Sequence, residues 1–290
     1  MKISYNEATA KDCSSLAKDL ELCEKAGFDY IEIRLDMLSD YLKEHTVEEL
    51  AAFFSTSRIK PHAMNALYLY PEFLGERDDP ERSKALLAEY RMGLEVSKAI
   101  GGHHFIIVPP LQRDPAGGPF VGTREETYEN CVRILGKLGE MAEEYQVNLC
   151  FELVGFERSS VRSVEEADAI VRAVNRDNVG FVFDSYNIYL NNRTNDFSAL
   201  RKVQPEKIFA IHMMSGKDVP DEEMGQDKRC FPDAGVVDIG NFLENLRETG
   251  YDGMVSIETF NPDYWKKDPA WVISTAYRTT REALVQNGCI

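Results

Sequence analysis

The chain has 290 residues, 43% hydrophobic and 28% charged, which is globular composition with ample material for a core. Its 33 basic and 49 acidic residues leave a net charge of −16, a surface that repels phosphate backbones and so argues against nucleic acid as a partner. No apolar run approaches the ~20 residues of a membrane span, and the cysteines at 13, 23, 131, 150, 230 and 289 form no CxxC pair and read as reduced thiols.

Taken in order, short apolar runs recur at Ile3–Asn6, Tyr30–Arg34, Lys60–Ala66, Phe105–Pro109, Asn148–Val154, Val179–Asp184, Ile208–His212 and Met254–Glu258. Each has ordinary strand length. Met1-Lys2-Ile3-Ser4 runs directly into the first, and a soluble, cytoplasmic protein with no membrane partner, monomeric or homo-oligomeric, is expected. Helical periodicity fills the intervals, as in Leu16-Asp19-Leu20-Cys23 before Gly27 and Leu135-Leu138-Met141-Ala142 before the fifth strand. Capping boxes are predicted at Thr46 with Glu49, Thr123 with Glu126 and Ser163 with Glu166, and glycine stops at Gly27, Gly101 and Gly250.

Eight strands alternating with helices predict an α/β fold, a single (β/α)8 TIM barrel over residues 1–290. An open doubly wound sheet would want a glycine-rich turn after the first strand, and Asn6-Glu7-Ala8-Thr9 supplies none. The longest irregular stretches, Leu111–Gly122 and Ser215–Asp233, follow strands and so belong to the face where such barrels keep their chemistry.

Polar residues at strand ends are informative because barrel strands otherwise want apolar side chains. Strands five to eight end in Glu152, Asp184, His212 and Glu258. Three clustered carboxylates repel, and a divalent cation held by three oxygens and one nitrogen resolves this, with Mn2+, Zn2+, Co2+ or Mg2+ suited to the set. The alternative for each carboxylate is a pair with a barrel Arg or Lys. Arg34 and Arg229 can each offer a planar fork to substrate oxygens; otherwise Arg34 is a buried partner for Glu7 or Glu32, and Arg229 a solvated loop charge. Asn6, Glu7 and Asn65 end strands one and three as candidate polar contacts, or as simple loop caps. His45, His62, His103 and His104 read as structural. Tyr264, Trp265 and Trp271 can wall a pocket, with helix–barrel packing the other use of Trp271.

With these residues in hand, the sequence resembles the xylose isomerase-like superfamily of sugar isomerases and epimerases, and within it the branch acting on inositol ketones. The matching stretches are Tyr5–Thr9, Asp19–Arg34, Asp40–Leu50, Ile59–Leu67, Val174–Ser185 and Val255–Phe260, whereas Tyr68–Lys137 matches poorly. The resemblance implies one divalent metal on Glu152, Asp184, His212 and Glu258, with Glu152 and Glu258 as the catalytic pair, and an arginine in the loop after strand seven, where Arg229 falls. The implied reaction is proton transfer on a polyol ketone or ketose through a cis-enediolate, which transposes the ketone or, by reprotonation on the other face, epimerises the carbon as a ketose 3-epimerase does; a hydroxypyruvate isomerase-like reaction is the sister possibility. Three departures touch the substrate side: Asn187 stands where the family commonly has a substrate-touching histidine, Met213-Met214-Ser215 replaces an acidic pair, and Pro232-Asp233-Ala234-Gly235 replaces a glycine-rich turn. A binding protein that kept the site and lost turnover is the reading these departures would support. A nuclease on the same barrel would want a histidine-rich three-metal site, which five histidines and the −16 charge disfavour.

Overall fold

The computed structural model describes residues 1–112, 114 and 117–290; residues 113, 115 and 116, within the irregular stretch Leu111–Gly122, lie outside the described residues. Eight parallel strands close into a barrel: β1 (Lys2–Asn6), β2 (Tyr30–Arg34), β3 (Lys60–Tyr68), β4 (His104–Val108), β5 (Asn148–Glu152), β6 (Val179–Asp184), β7 (Ile208–His212) and β8 (Met254–Ile257), with β8 pairing back onto β1. Helices α1 (Leu16–Ala26), α2 (Leu35–Tyr41), α3 (Val47–Thr56), α4 (Pro80–Ile100), α5 (Arg124–Glu143), α6 (Val164–Val174), α7 (Ser185–Asn192), α8 (Ile239–Glu248) and α9 (Pro269–Gln286) lie between and after them. The expected barrel is therefore present, with small revisions: β5 ends at Glu152, and Glu258 falls just past the end of β8. Strand β2 is followed by two helices rather than one.

Strand alternation builds two cores. Ile106, Cys150, Val182 and Ala210 pack together in one cluster inside the barrel, while Phe105, Phe151, Phe181, Phe183 and Ile211 belong to the larger cluster shared with the helices. A residue two positions on from an interior residue is interior again. Glu152, Asp184 and His212 are thus the next inward positions after Cys150, Val182 and Ala210.

All three predicted capping boxes form, at Thr46 and Glu49, Thr123 and Glu126, and Ser163 and Glu166. Gly27 and Gly101 end α1 and α4 in the left-handed region at φ 110° and 82°, which carries no steric penalty only for glycine. Among the described residues no helix is long and apolar enough to cross a membrane. The six cysteines are free.

Candidate functional site

Register decides which strand ends meet. Asp184 lies opposite His212. His212 in turn lies opposite Ser256, two residues before Glu258, and Glu152 lies opposite Val182, two residues before Asp184. One ligand atom from each of Glu152, Asp184, His212 and Glu258 consequently falls within 4.8 Å of the others, and all four residues are buried. The Nδ1 of His212 is 3.4 Å from Glu258 Oε2, 3.6 Å from Glu152 Oε1 and 4.0 Å from Asp184 Oδ2.

Whether this set fits a metal is decided by His212. Its Nδ1 is buried and makes no hydrogen bond, which is expensive for a polar atom away from water. Its Nε2 lies 3.0 Å from Glu32 Oε2, so the ring proton belongs on Nε2 and the Nδ1 lone pair points among three carboxylates. The potential there demands positive charge: although burial opposes it, Glu32 and Glu258 drive the His212 pKa well above its ordinary value. Three oxygens, one nitrogen and that potential fit one divalent ion.

The two glutamates differ in environment. Burial first, and then the charges of Glu258 and Asp184, push Glu152 up to about 7, against the His212 contact that lowers it. Glu258 is held below the usual carboxylate range because His212 and Arg229 outweigh the effect of burial. The two carboxyls thus stand in unlike surroundings, one raised chiefly by burial and one lowered by neighbouring cations.

The first strands supply the supports. Asn6 Nδ2 donates to Glu32 Oε2 and to Glu258 Oε1, each at 2.9 Å, and Asn65 Nδ2 donates to Glu258 Oε1 at 3.2 Å. His62 Nδ1 sits 3.4 Å from Glu32 Oε1. Glu32 itself is fully buried. Burial would raise its pKa, but His212 and His62 hold it far below the usual range. Glu32 entered the sequence reading only as a partner for Arg34. Its signal was available: in Ile31-Glu32-Ile33 a lone charge occupies the inward face of a strand, where it must have partners. His62 belongs to this support, consistent with a structural histidine.

Arg229 is 1% exposed, which removes the alternative of a solvated loop charge. A two-rung ribbon of Ser215–Gly216 against Arg229–Cys230 folds the long loop back over the barrel mouth. Arg229 Nη1 then donates to Asp184 Oδ2 at 2.6 Å and Glu258 Oε2 at 3.3 Å. Arg34 instead forks Asp36, at 2.9 and 2.8 Å, and only its backbone N–H reaches Glu7, at 2.7 Å. The alternative of a side-chain pairing with Glu7 or Glu32 is therefore replaced by one with Asp36, two residues along the chain, and Arg34, read as a candidate substrate contact, does not line the cavity that opens above these groups. Glu7 takes the second of its two readings, a cap, by accepting from the backbone N–H of Arg34. It sits one position after Asn6 and so faces outward, among α1 and α2 groups rather than over the barrel mouth. Asn187 lies in the first turn of α7, its N–H capped by Asp184 Oδ1 at 2.7 Å, and its Nδ2 donates to Glu152 Oε1 at 3.1 Å.

Above these groups opens a cavity of about 330 Å³. Asn65, Glu152, Asn187, Gln226, Arg229 and Glu258 supply its polar surface, and Tyr68, Val108, Leu111, Val154, Phe156, Phe260, Pro262 and Trp265 wall it, with Asp227 also lining it. Asp184 and His212 are fully buried. Trp265 is braced by its indole N–H donating to Ala8 O at 2.9 Å. Tyr264 stacks on Phe231 at 4.3 Å instead, and Trp271 is 46% exposed, outside the cavity lining. Gln226, Tyr68, Phe156 and Phe260 also line the cavity without having been singled out in the sequence: Tyr68 is the last residue of β3, beyond the apolar run predicted there, and the other three sit in loops or turns, where no periodicity marks an inward side chain.

The model of the xylose isomerase-like TIM barrel family matches residues 20–275. Inosose isomerase of Halalkalibacterium halodurans is 37% identical over 98% of this chain and 96% of that protein. Inosose isomerase of Bacillus subtilis is 36% identical over 97% of this chain and 96% of that protein. In three dimensions the chain is similar to a crystal structure of IOLI protein with a binding zinc atom, at 35% identity, TM-score 0.89 and 99% coverage of both chains.

Proposed function

The chain belongs to the xylose isomerase-like TIM barrel family and is a metal-dependent isomerase; from that premise we propose that it acts in the cytoplasm on 2-keto-myo-inositol, an inosose, moving a proton between neighbouring ring carbons. The observation that carries this reading is the meeting of Glu152 and Glu258, from strands separated by two others, at one polar surface of an otherwise apolar-walled cavity.

Glu152, Asp184, His212 and Glu258 would hold the ion. When bound there, a divalent ion supplies Lewis acidity that stabilises negative charge on a ketone oxygen by several kcal/mol. The rest is the work of the chain's own groups. One glutamate takes the proton α to the ketone, leaving a cis-enediolate. A glutamate then returns a proton to the old carbonyl carbon while the hydroxyl proton moves between the two oxygens, so the ketone is transposed. Such proton transfer contributes ~10²–10⁴-fold per group. Arg229 fixes Asp184 and Glu258 through one nitrogen, Nη1, and brings positive charge to the cavity. Asn6 and Asn65 hold Glu258 by Oε1, leaving Oε2 toward the His212 side. Phe260, Trp265, Phe156 and Tyr68 exclude water from the reacting carbons and offer the apolar face a cyclohexane ring presents.

Glu258→Gln is the test, with metal content and solvent-deuterium exchange into an inosose measured together. The variant is expected to lose exchange by ~10²–10⁴-fold while remaining folded. Retention of metal with α-proton exchange at the parent rate would overturn the role given to Glu258.

A further inference from the structure

Two side-chain amides in the cavity, Gln226 and Asn187, are joined in a chain whose direction is fixed at both ends. Arg229 has only donors to offer. Its Nε meets Gln226 at 2.6 Å, so the Gln226 atom there is Oε1. Gln226 must then turn Nε2 toward Asn187, which it reaches at 2.9 Å, and the receiving atom is Oδ1. Asn187 is left with Nδ2 toward Glu152 Oε1 at 3.1 Å. An isolated amide can be placed either way round; here a guanidinium at one end and a carboxylate at the other permit one order only. The backbone N–H of Gly155 also points at Asn187 Oδ1, at 3.4 Å, which favours the same orientation.

The chain joins parts of the fold that are distant in sequence. Gln226 lies in a short 3-10 turn, Gln226–Lys228, at the end of the loop that the ribbon at Arg229 folds over the barrel. Asn187 is anchored to α7, and Glu152 ends β5. Neither amide takes or gives a proton near neutral pH, so the pair can hold Glu152 without competing for its proton.

We propose that Gln226 is a positioning residue for Glu152: it sets the orientation of the Asn187 amide, and through it holds Oε1 of Glu152 in the place from which the carboxylate serves the reaction. This rests on the reading of Glu152 as a proton-transferring ligand. Gln226→Glu is nearly isosteric and still accepts from Arg229, but it faces Asn187 Oδ1 with an oxygen. The Asn187 amide is then driven to turn over, which sets its oxygen against Glu152.

The experiment compares the parent, Gln226→Glu, Asn187→Leu and the double variant, reading kcat and KM with an inosose and zinc affinity by competition with a chelator. Gln226→Met, which removes both hydrogen bonds without adding charge, serves if the glutamate variant fails to fold. Both single variants are expected to lose kcat and zinc affinity by about ten- to a hundredfold, with KM changed less than about threefold. The double variant is expected to be no worse than the poorer single one, since both cut the same chain. A rise in KM with kcat unchanged would mean that Gln226 touches substrate instead, and losses that multiply in the double variant would mean that the amides act separately; either overturns the proposal. Glu152→Gln, assayed alongside, separates the two levels. If it kept parental turnover the reading of Glu152 would fail, while a shared loss of zinc affinity in the two amide variants would still uphold the positioning chain.

Discussion

The molecule buries two groups of acids, and it gives them different partners. At the barrel mouth Glu32, Glu152, Asp184 and Glu258 surround His212 and Arg229, and each carboxylate has an identified contact with a neighbouring side chain. Outside the barrel wall, Glu7 and Asp19 are also fully buried; Arg34 and Lys18 favour their charged forms, yet burial prevails. The pKa of Glu7 is raised well above its ordinary value by burial and then by Asp19, and burial pushes Asp19 up to about 7 against a hydrogen bond from Ser14. At the mouth His212, with His62 or Arg229, holds Glu32 and Glu258 low against burial, while Glu152 is raised; Glu7 and Asp19 are both raised, escaping their desolvation by holding protons. Buried carboxylates alone therefore do not make a metal site. What distinguishes the mouth is convergence on an unpartnered imidazole nitrogen, with a second carboxylate behind the ring to turn that nitrogen inward.

The same chemical change, acid to amide, should give three different results at three positions. The largest is expected at Glu152. Glu152→Gln removes a proton carrier and one ligand oxygen's charge, and kcat should fall by ~10²–10⁴-fold, measured at saturating metal to separate chemistry from metal loss. Glu32→Gln should leave every proposed ligand in place but present an amide to His212 Nε2. The tautomer and ring orientation are then no longer held by a carboxylate, and zinc affinity in a chelator competition should weaken by about ten- to a hundredfold. An unchanged affinity would remove Glu32 from the site and leave the mouth with no more organisation than the Glu7–Asp19 pair.

The sequence exposes these two groups unequally. Glu152, Asp184, His212 and Glu258 are legible because each ends an apolar run, and strand ends of a parallel barrel converge on one face. The alternation that makes them inward is the same that turns Glu7 outward, one residue past Asn6. Of the two readings of Glu7, polar contact at the mouth or loop cap, parity selects the cap: a strand end gives the face of the barrel, while parity gives inside or outside. Glu32 was legible by parity but not by position, being in the middle of β2 rather than at its end. Asn187 stands out as a departure, yet its partner Gln226 does not, since the loop between the ribbon strands Ser215–Gly216 and Arg229–Cys230 has no period from which to read direction. The ribbon that closes this loop, and buries Arg229, depends on two rungs only and leaves no mark in composition.

Asp19→Asn is expected to leave turnover and zinc affinity at the parent level, which makes it the sharpest control on the comparison. Its effect belongs to stability and to pH. In the folded chain the Asp19 carboxyl titrates at about 7, against an ordinary value of 3.8. Between those values the folded chain holds a proton that the unfolded chain has released, so the unfolded state binds fewer protons and stability falls as pH rises. The contribution is complete below about pH 4 and is lost as pH passes through about 7. Asparagine keeps an oxygen for the Ser14 hydroxyl and never ionises. Its advantage over aspartate should therefore begin to appear above about pH 4 and grow by a further ~2–4 kcal/mol between pH 5 and pH 8, as a shift of this size supplies. Denaturant unfolding of both chains at the two pH values measures it. A difference that does not change with pH would mean that Asp19 is ionised in the fold, and the contrast between this acid pair and the cation-held Glu32 and Glu258 would be lost.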